Sequence, residues 1–108
     1  MVTYDVTDIH CPSWTESWVL TTIRNLAQEF DLVVKEETTL LSKKGSIHCH
    51  LAYPKQPGLL EVTVWPRRQS VWIDMHDNRR ADWNAAIIEA VASRLAEEFG
   101  GRAEKRPS

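Results

Sequence analysis

Residues 46–76, SIHCHLAYPKQPGLLEVTVWPRRQSVWIDMH, decide the fold of this chain. Apolar and polar residues alternate in three runs of this stretch, 46–53, 59–65 and 70–76, and a period of two residues is typical of strands that bury one side. The proline- and glycine-containing segment 54–58 separates the first two runs, and 66–69 separates the last two. The stretch therefore predicts three consecutive antiparallel strands joined by short connections.

The residues before this stretch extend the predicted sheet. Segment 31–41 is rich in Val, Thr and Leu without helical spacing, and it ends at the turn Ser42-Lys43-Lys44-Gly45, so we expect a fourth strand there. Residues 2–7 also alternate, with Val2, Tyr4 and Val6 at every second position. The result is a four-stranded meander with a possible fifth strand at its edge.

Two segments carry helical periodicity. Ser13 and Glu16 have the spacing of a capping box, so a helix is expected to begin at Trp14. A second helix is expected over 81–99, because Gly100-Gly101 is a natural helix end. The apolar stripes predicted for the two helices are Val19, Ile23, Leu26, Ala27 and Phe30 in the first, and Trp83, Ile87, Ala90, Val91, Leu95 and Phe99 in the second.

These elements predict an α+β fold of two layers, with both helices on one face of the antiparallel sheet and the order (β)αββββα. The chain of 108 residues has the length of one ordinary domain, which we place at residues 1–101. The polar segment 102–108 is expected to be a disordered tail.

If the helices cover one face, alternation places a distinctive set of side chains on the other. Matching the apolar positions across the connections sets His50 beside Glu61, Glu61 near Asp74, and Thr63 opposite Trp72, although a slip of the register by two residues would keep the same faces. This polar face is predicted to carry His48, His50, Glu61, Thr63, Trp65, Trp72, Asp74 and His76.

Three interpretations of the polar face remain open. It could be a solvated sheet surface, although two tryptophans facing water would then be unusual. It could contact a protein partner, a second copy of the chain as in a homodimer, or a small ligand stacked on indole. It could also hold a metal or a catalytic centre, because H-x-H spacing on a strand lets two imidazoles converge; the groups available are His48, His50, Glu61, Asp74 and His76.

From this pattern we expect a small non-enzymatic binding, accessory or regulatory domain that acts through the polar face. A metal-binding protein or metal-dependent enzyme using the His, Asp and Glu residues of that face is the alternative. The sequence contains no GxGxxG, GxxxxGK[ST], HExxH, GxSxG or EF-hand pattern, so we assign no cofactor and no catalytic residue.

Composition excludes several classes of protein. The net charge is −2, with no long run of like charges, which disfavours binding to nucleic acid. Paired arginines at 67–68 and 79–80 could flank one end of the sheet and attract an anion, although such pairs are usually just solvated. The sequence has no apolar run long enough to cross a membrane, and we expect a cytoplasmic protein. Cys11 and Cys49 are expected to be buried, unreactive thiols.

Overall fold

Six antiparallel strands form one sheet in the computed structural model, which describes residues 1–11 and 13–107. The strands stand in the order β2-β3-β4-β5-β1-β6, and two helices complete the α+β fold. The elements are β1 Val2–Thr7, α1 Glu16–Glu29, β2 Val33–Thr38, β3 Ile47–Ala52, β4 Leu60–Trp65, β5 Ser70–Met75, α2 Asp82–Glu98 and β6 Arg102–Lys105.

The prediction of a four-stranded sheet with an N-terminal edge strand is wrong in detail. The meander β2-β3-β4-β5 is present, but β1 lies inside the sheet, between β5 and β6. Arg102–Lys105, which we expected in a disordered tail, forms β6 and pairs with β1. Segment 102–105 has no apolar alternation of its own, so its strand conformation depends on this partner. The predicted tail also includes Ser108, which is outside the described residues.

The end of α2 explains how the chain returns to the sheet. Gly100 has a φ of 69°, a left-handed conformation that costs glycine little. The amide of Gly101 donates to the carbonyl of Ala96 at 2.9 Å and that of Gly100 donates to Glu97 at 3.1 Å, which is the Schellman arrangement. A Cβ on Gly101 would stand 2.3 Å from the carbonyl oxygen of Thr7, so only glycine fits this crossing of α2 into β6.

The start of α1 differs from the prediction. The helix begins at Glu16 and is capped by Thr15, whose Oγ1 accepts a hydrogen bond from the amide of Trp18 at 3.3 Å. Ser13 lies before the cap, with its hydroxyl 3.3 Å from that of Thr15. The predicted stripe of α1 is confirmed for its four buried members, Val19, Ile23, Leu26 and Ala27.

The core lies between the helices and one face of the sheet, with both described helices on that face. In α2 the buried stripe is rotated from the predicted one, because Ala90 is exposed while Asn84 and Ile88 are buried. The amide of Asn84 donates to the carbonyls of Leu59 and Arg79, which satisfies this buried polar group. The strand residues of the core include Ile47, Cys49, Leu51, Leu60, Val62, Val64, Val71 and Ile73.

Candidate functional site

The cross-strand pairs predicted for the polar face are confirmed. His50 is opposite Glu61, Glu61 is opposite Asp74, and Thr63 lies between His48 on β3 and Trp72 on β5. Alternation directs these side chains to one face of the sheet, while the side chains of Cys49, Val62 and Ile73 point to the other face and enter the core under the helices. The three central strands therefore present one continuous polar surface on the side without helices.

The centre of this face is more buried than the sequence suggests. The exposed fraction is 8% for His48, 1% for Thr63 and 9% for Asp74. Because both described helices lie on the other side, this burial comes from neighbouring side chains of the same face. The buried groups are matched by hydrogen bonds, and among the described residues no buried side-chain N or O atom lacks a partner.

Three imidazole nitrogens surround the carboxylate of Glu61. The Nε2 atoms of His48 and His50 lie 3.1 and 3.4 Å from Oε1, and Nε2 of His76 lies 3.1 Å from Oε2. A ligand atom from each of His48, His50 and Glu61 falls within 4.8 Å of the other two. We call these three residues, together with His76, the histidine cluster. Three strands supply it, since His48 and His50 are on β3, Glu61 is on β4 and His76 follows β5.

The second nitrogen of two imidazoles faces an oxygen atom. Nδ1 of His48 is 2.8 Å from Oγ1 of Thr63, and Nδ1 of His50 is 3.6 Å from a carboxylate oxygen of Glu36 on β2. The ring of His48 is therefore oriented by a hydrogen bond on its Nδ1 side, the ring of His50 has only a more distant carboxylate there, and both rings present Nε2 to Glu61. An oxygen on the far nitrogen is the usual support of a metal-binding histidine, because it fixes the tautomer and the ring orientation.

Asp74 lies beside Glu61 but does not join the histidine cluster. Its carboxylate accepts a hydrogen bond of 2.6 Å from the hydroxyl of Thr3, so it is directed toward β1. The sequence placed Asp74 correctly on the polar face, yet it could not show this partner because β1 was expected at an edge, if it joined the sheet at all.

The tryptophan end of the face holds cations. The ammonium of Lys43 lies 5.9 Å from the ring centroids of both Trp65 and Trp72, and the guanidinium of Arg68 lies 5.3 Å from that of Trp65. The indole N–H of Trp65 donates to the carbonyl of Lys44 at 3.0 Å. Both tryptophans are half-buried.

Sequence reasoning missed Glu36, Thr3 and Lys43. Glu36 lies on β2, where the register shifts between Val34 and Glu36, and this irregularity breaks the simple alternation that assigned the other strands. Lys43 was assigned to a solvated turn. The H-x-H spacing of His48 and His50 was a sequence signal that could have led to Glu36, because a strand adjacent to β3 supplies side chains to the same face.

The cysteines do not contribute to the histidine cluster. Cys49 is fully buried beneath the helices, and burial raises the pKa of its thiol to about 12. Cys11 was expected to be buried as well, but it is half-buried, with Sγ 2.9 Å from the carbonyl of Ser13. Trp14 and Trp18 are packing residues, with their ring centroids 5.5 and 5.3 Å from that of Phe99.

Comparison of the chain with protein-family models, with curated proteins and with solved structures finds no match. Neither of the helices within residues 1–11 and 13–107 combines the length and the apolar character needed to cross a bilayer. The geometry of the polar face therefore supplies the argument for function.

Proposed function

We propose that this chain is a small binding domain whose polar face takes a divalent transition-metal ion, with Zn²⁺ as the preferred ion. The observation that carries the proposal is the convergence of Nε2 atoms from His48 and His50 on one oxygen of Glu61. Imidazole and carboxylate are established zinc ligands in proteins.

The spacing of the donors supports the proposal. Ligand atoms bind Zn²⁺ at about 2.0–2.2 Å, so two donors on one edge of a tetrahedral shell stand about 3.4 Å apart. The distances from Oε1 of Glu61 to the two Nε2 atoms, 3.1 and 3.4 Å, match that edge within a few tenths of an ångström. Small side-chain rotations would bring an ion between the three groups without moving the strands.

The hydrogen bonds around the donors also suit a metal. A hydroxyl can donate or accept, so Thr63 can accept the Nδ1 proton of His48 and leave Nε2 with the free electron pair that a metal needs. The carboxylate of Glu36, 3.6 Å from Nδ1 of His50, would have to move closer to do the same for that ring. His76 lies beside the other oxygen of Glu61. Among the described residues, the donors within 4.8 Å of one another are His48, His50 and Glu61, so these three would hold the ion and water would complete its shell.

The test is metal affinity of chelator-treated protein, measured by competition with a chromophoric chelator. We expect one Zn²⁺ per chain. His48→Ala removes a ligand, so its affinity for Zn²⁺ should fall by more than the about 10- to 100-fold that is typical when only a hydrogen bond supporting a ligand is removed. His10→Ala is the matched control, because His10 is exposed and outside the cluster. The Co²⁺ form should show the absorption of a tetrahedral site.

Glu61→Gln provides a second variant that keeps the shape of the side chain, removes its charge and replaces one acceptor oxygen by an NH2 donor. It should bind Zn²⁺ much more weakly and still unfold cooperatively. Equal affinity in the wild-type chain and in His48→Ala, or an equal loss in His10→Ala, would show that the histidine cluster is only a hydrogen-bonded network.

A further inference from the structure

Four basic residues lie on two neighbouring connections at the tryptophan end of the polar face, and two of them, Lys43 and Arg68, lie beside the rings. Lys43 and Lys44 lie in the turn before β3, while Arg67 and Arg68 lie between β4 and β5. The connections are adjacent because Ile47 pairs with Val64 across β3 and β4. The bond from the Trp65 indole to the carbonyl of Lys44 ties them together. We call these four residues and the rings of Trp65 and Trp72 the basic end.

None of the four cations forms an ion pair with a carboxylate in the described part of the chain. Four other basic residues, Arg24, Arg94, Arg102 and Arg106, form ion pairs, whereas Lys35, Lys55, Arg79, Arg80 and Lys105 form none among the described residues but are not clustered beside tryptophan rings. The nearest acidic neighbour of Trp72 in the strand register is Asp5, and Arg106 already holds its carboxylate with two bonds of 2.6 and 2.9 Å. The basic end therefore concentrates uncompensated positive charge in a chain whose net charge is −2.

The rings supply a second element of recognition. Two cations lie near the ring of Trp65, and its N–H donates to the backbone carbonyl of Lys44, so this ring is held in place. Trp72 has one cation near its ring, and it is the cross-strand neighbour of Thr63, which in turn pairs with His48. If Lys43 turns from the ring toward an anion, it frees a face of Trp72 for another planar ring.

We propose that the basic end binds a nucleotide, with its phosphates held by Lys43, Lys44, Arg67 and Arg68 and its base stacked on Trp72. Flat bases stack on aromatic side chains, and clustered Lys and Arg side chains bind phosphate through charge-assisted hydrogen bonds. A ligand of one nucleotide fits the charge distribution, because farther along the polar face are the carboxylates Glu61 and Asp74, which would repel a longer polyanion. The site uses none of the residues of the histidine cluster.

The experiment is calorimetric titration of the full chain with ATP, adenosine and tripolyphosphate, in EDTA and at constant ionic strength. EDTA prevents a metal at the histidine cluster from binding the phosphates, so this result is independent of the metal proposal. We expect ATP to bind about tenfold more tightly than tripolyphosphate, since only ATP offers a base to stack. Adenosine should bind most weakly, because it has no phosphate.

The chain offers a matched control for charge. Arg67→Gln with Arg68→Gln should lower ATP affinity about tenfold. Arg79→Gln with Arg80→Gln removes the same charge from an exposed arginine pair at the opposite end of β5, and it should leave the affinity unchanged. Equal losses in the two double variants would overturn the proposal, because they would reflect net charge alone.

Trp72→Leu tests the ring, with cooperative unfolding as the check that the variant is folded. It should bind ATP and tripolyphosphate equally, while Lys43→Gln weakens both and keeps the preference for ATP. The absence of ATP binding to the wild-type chain, or no preference over tripolyphosphate, would overturn the assignment to a nucleotide.

Discussion

The two faces of the sheet consist of neighbouring residues in the same strands, yet different forces bury them. Val62 and Thr63 are adjacent in β4 and are 0% and 1% exposed. Val62 is covered by the helix layer, where burial itself is favourable because it removes apolar surface from water. Thr63 lies on the side without helices, and its burial is tolerated because its hydroxyl has a partner in His48.

The two faces of the sheet therefore differ in what they contribute to the protein. The apolar face supplies the stability of the fold, and it requires only shape and hydrophobicity. The polar face uses that stability to hold buried imidazole, carboxylate and hydroxyl groups in a fixed arrangement, which sites of binding require. Substitutions on the two faces should therefore change different measured properties.

The largest effect is expected for Leu51→Ala, on the apolar face of β3. Leu51 is fully buried in the core, and truncation there typically costs about 2–5 kcal/mol through lost burial and the cavity left behind. His50→Ala changes the neighbouring residue on the polar face and should cost about 1 kcal/mol or less. Urea denaturation in EDTA measures both free energies of unfolding. Similar losses in the two variants would mean that the faces contribute equally to stability.

A smaller effect is expected for Thr63→Val, which keeps the shape of a buried side chain and removes its hydroxyl. The Nδ1 atom of His48 then loses its partner in a buried position, a change that costs about 1–3 kcal/mol. Zinc affinity should also fall by about 10- to 100-fold, because the ring loses its orienting contact. Thr63→Ser keeps the hydroxyl and should retain the metal affinity. A Thr63→Val chain with unchanged stability and affinity would contradict the proposed coupling of burial and binding.

The same contrast decides what the sequence could predict. Strict alternation in β3, β4 and β5 specified the strands and the face of each residue, because shifting any of them by one residue would turn Cys49, Val62 or Ile73 toward the polar side. A shift by two residues keeps the same faces, so alternation did not fix the register. The pairing of His50 with Glu61 came from matching the apolar positions across the connections.

The order of the outer strands could not be predicted in this way. β6 has a four-residue sequence, RAEK, without apolar alternation, and its strand conformation depends on pairing with β1. The signal for this return lay in Gly100-Gly101, which was interpreted only as a helix end. The contact of Glu36 with His50 was equally hidden, because the irregularity in β2 changes which residues face the cluster.

The smallest effect concerns the edge strand β2, where Glu36 and Glu37 point to opposite faces of the sheet. Glu36 faces His50, while Glu37 accepts two hydrogen bonds from Arg24 of α1, at 2.6 and 2.7 Å. The bond to Arg24 lowers the pKa of Glu37 below its ordinary value of 4.5. Stability from this pair is therefore fully present above pH 4.5 and is lost as the pH falls through the lower pKa of the folded state.

The measurement is the difference in unfolding free energy between the wild-type chain and Arg24→Gln at pH 7 and at pH 3. We expect a small difference at pH 7, because Arg24 is 53% exposed and water screens the pair. The difference should shrink at pH 3 as Glu37 takes up a proton. Glu37→Gln provides the control, because in a chain with this substitution the effect of Arg24→Gln on the unfolding free energy should not depend on pH. Arg94→Gln is less suitable, since Arg94 forms bonds to more than one glutamate. A difference that is the same at both pH values would show that α1 is held to β2 by its apolar contacts alone. The helix-covered face would then depend even less on polar groups than the face that holds the histidine cluster.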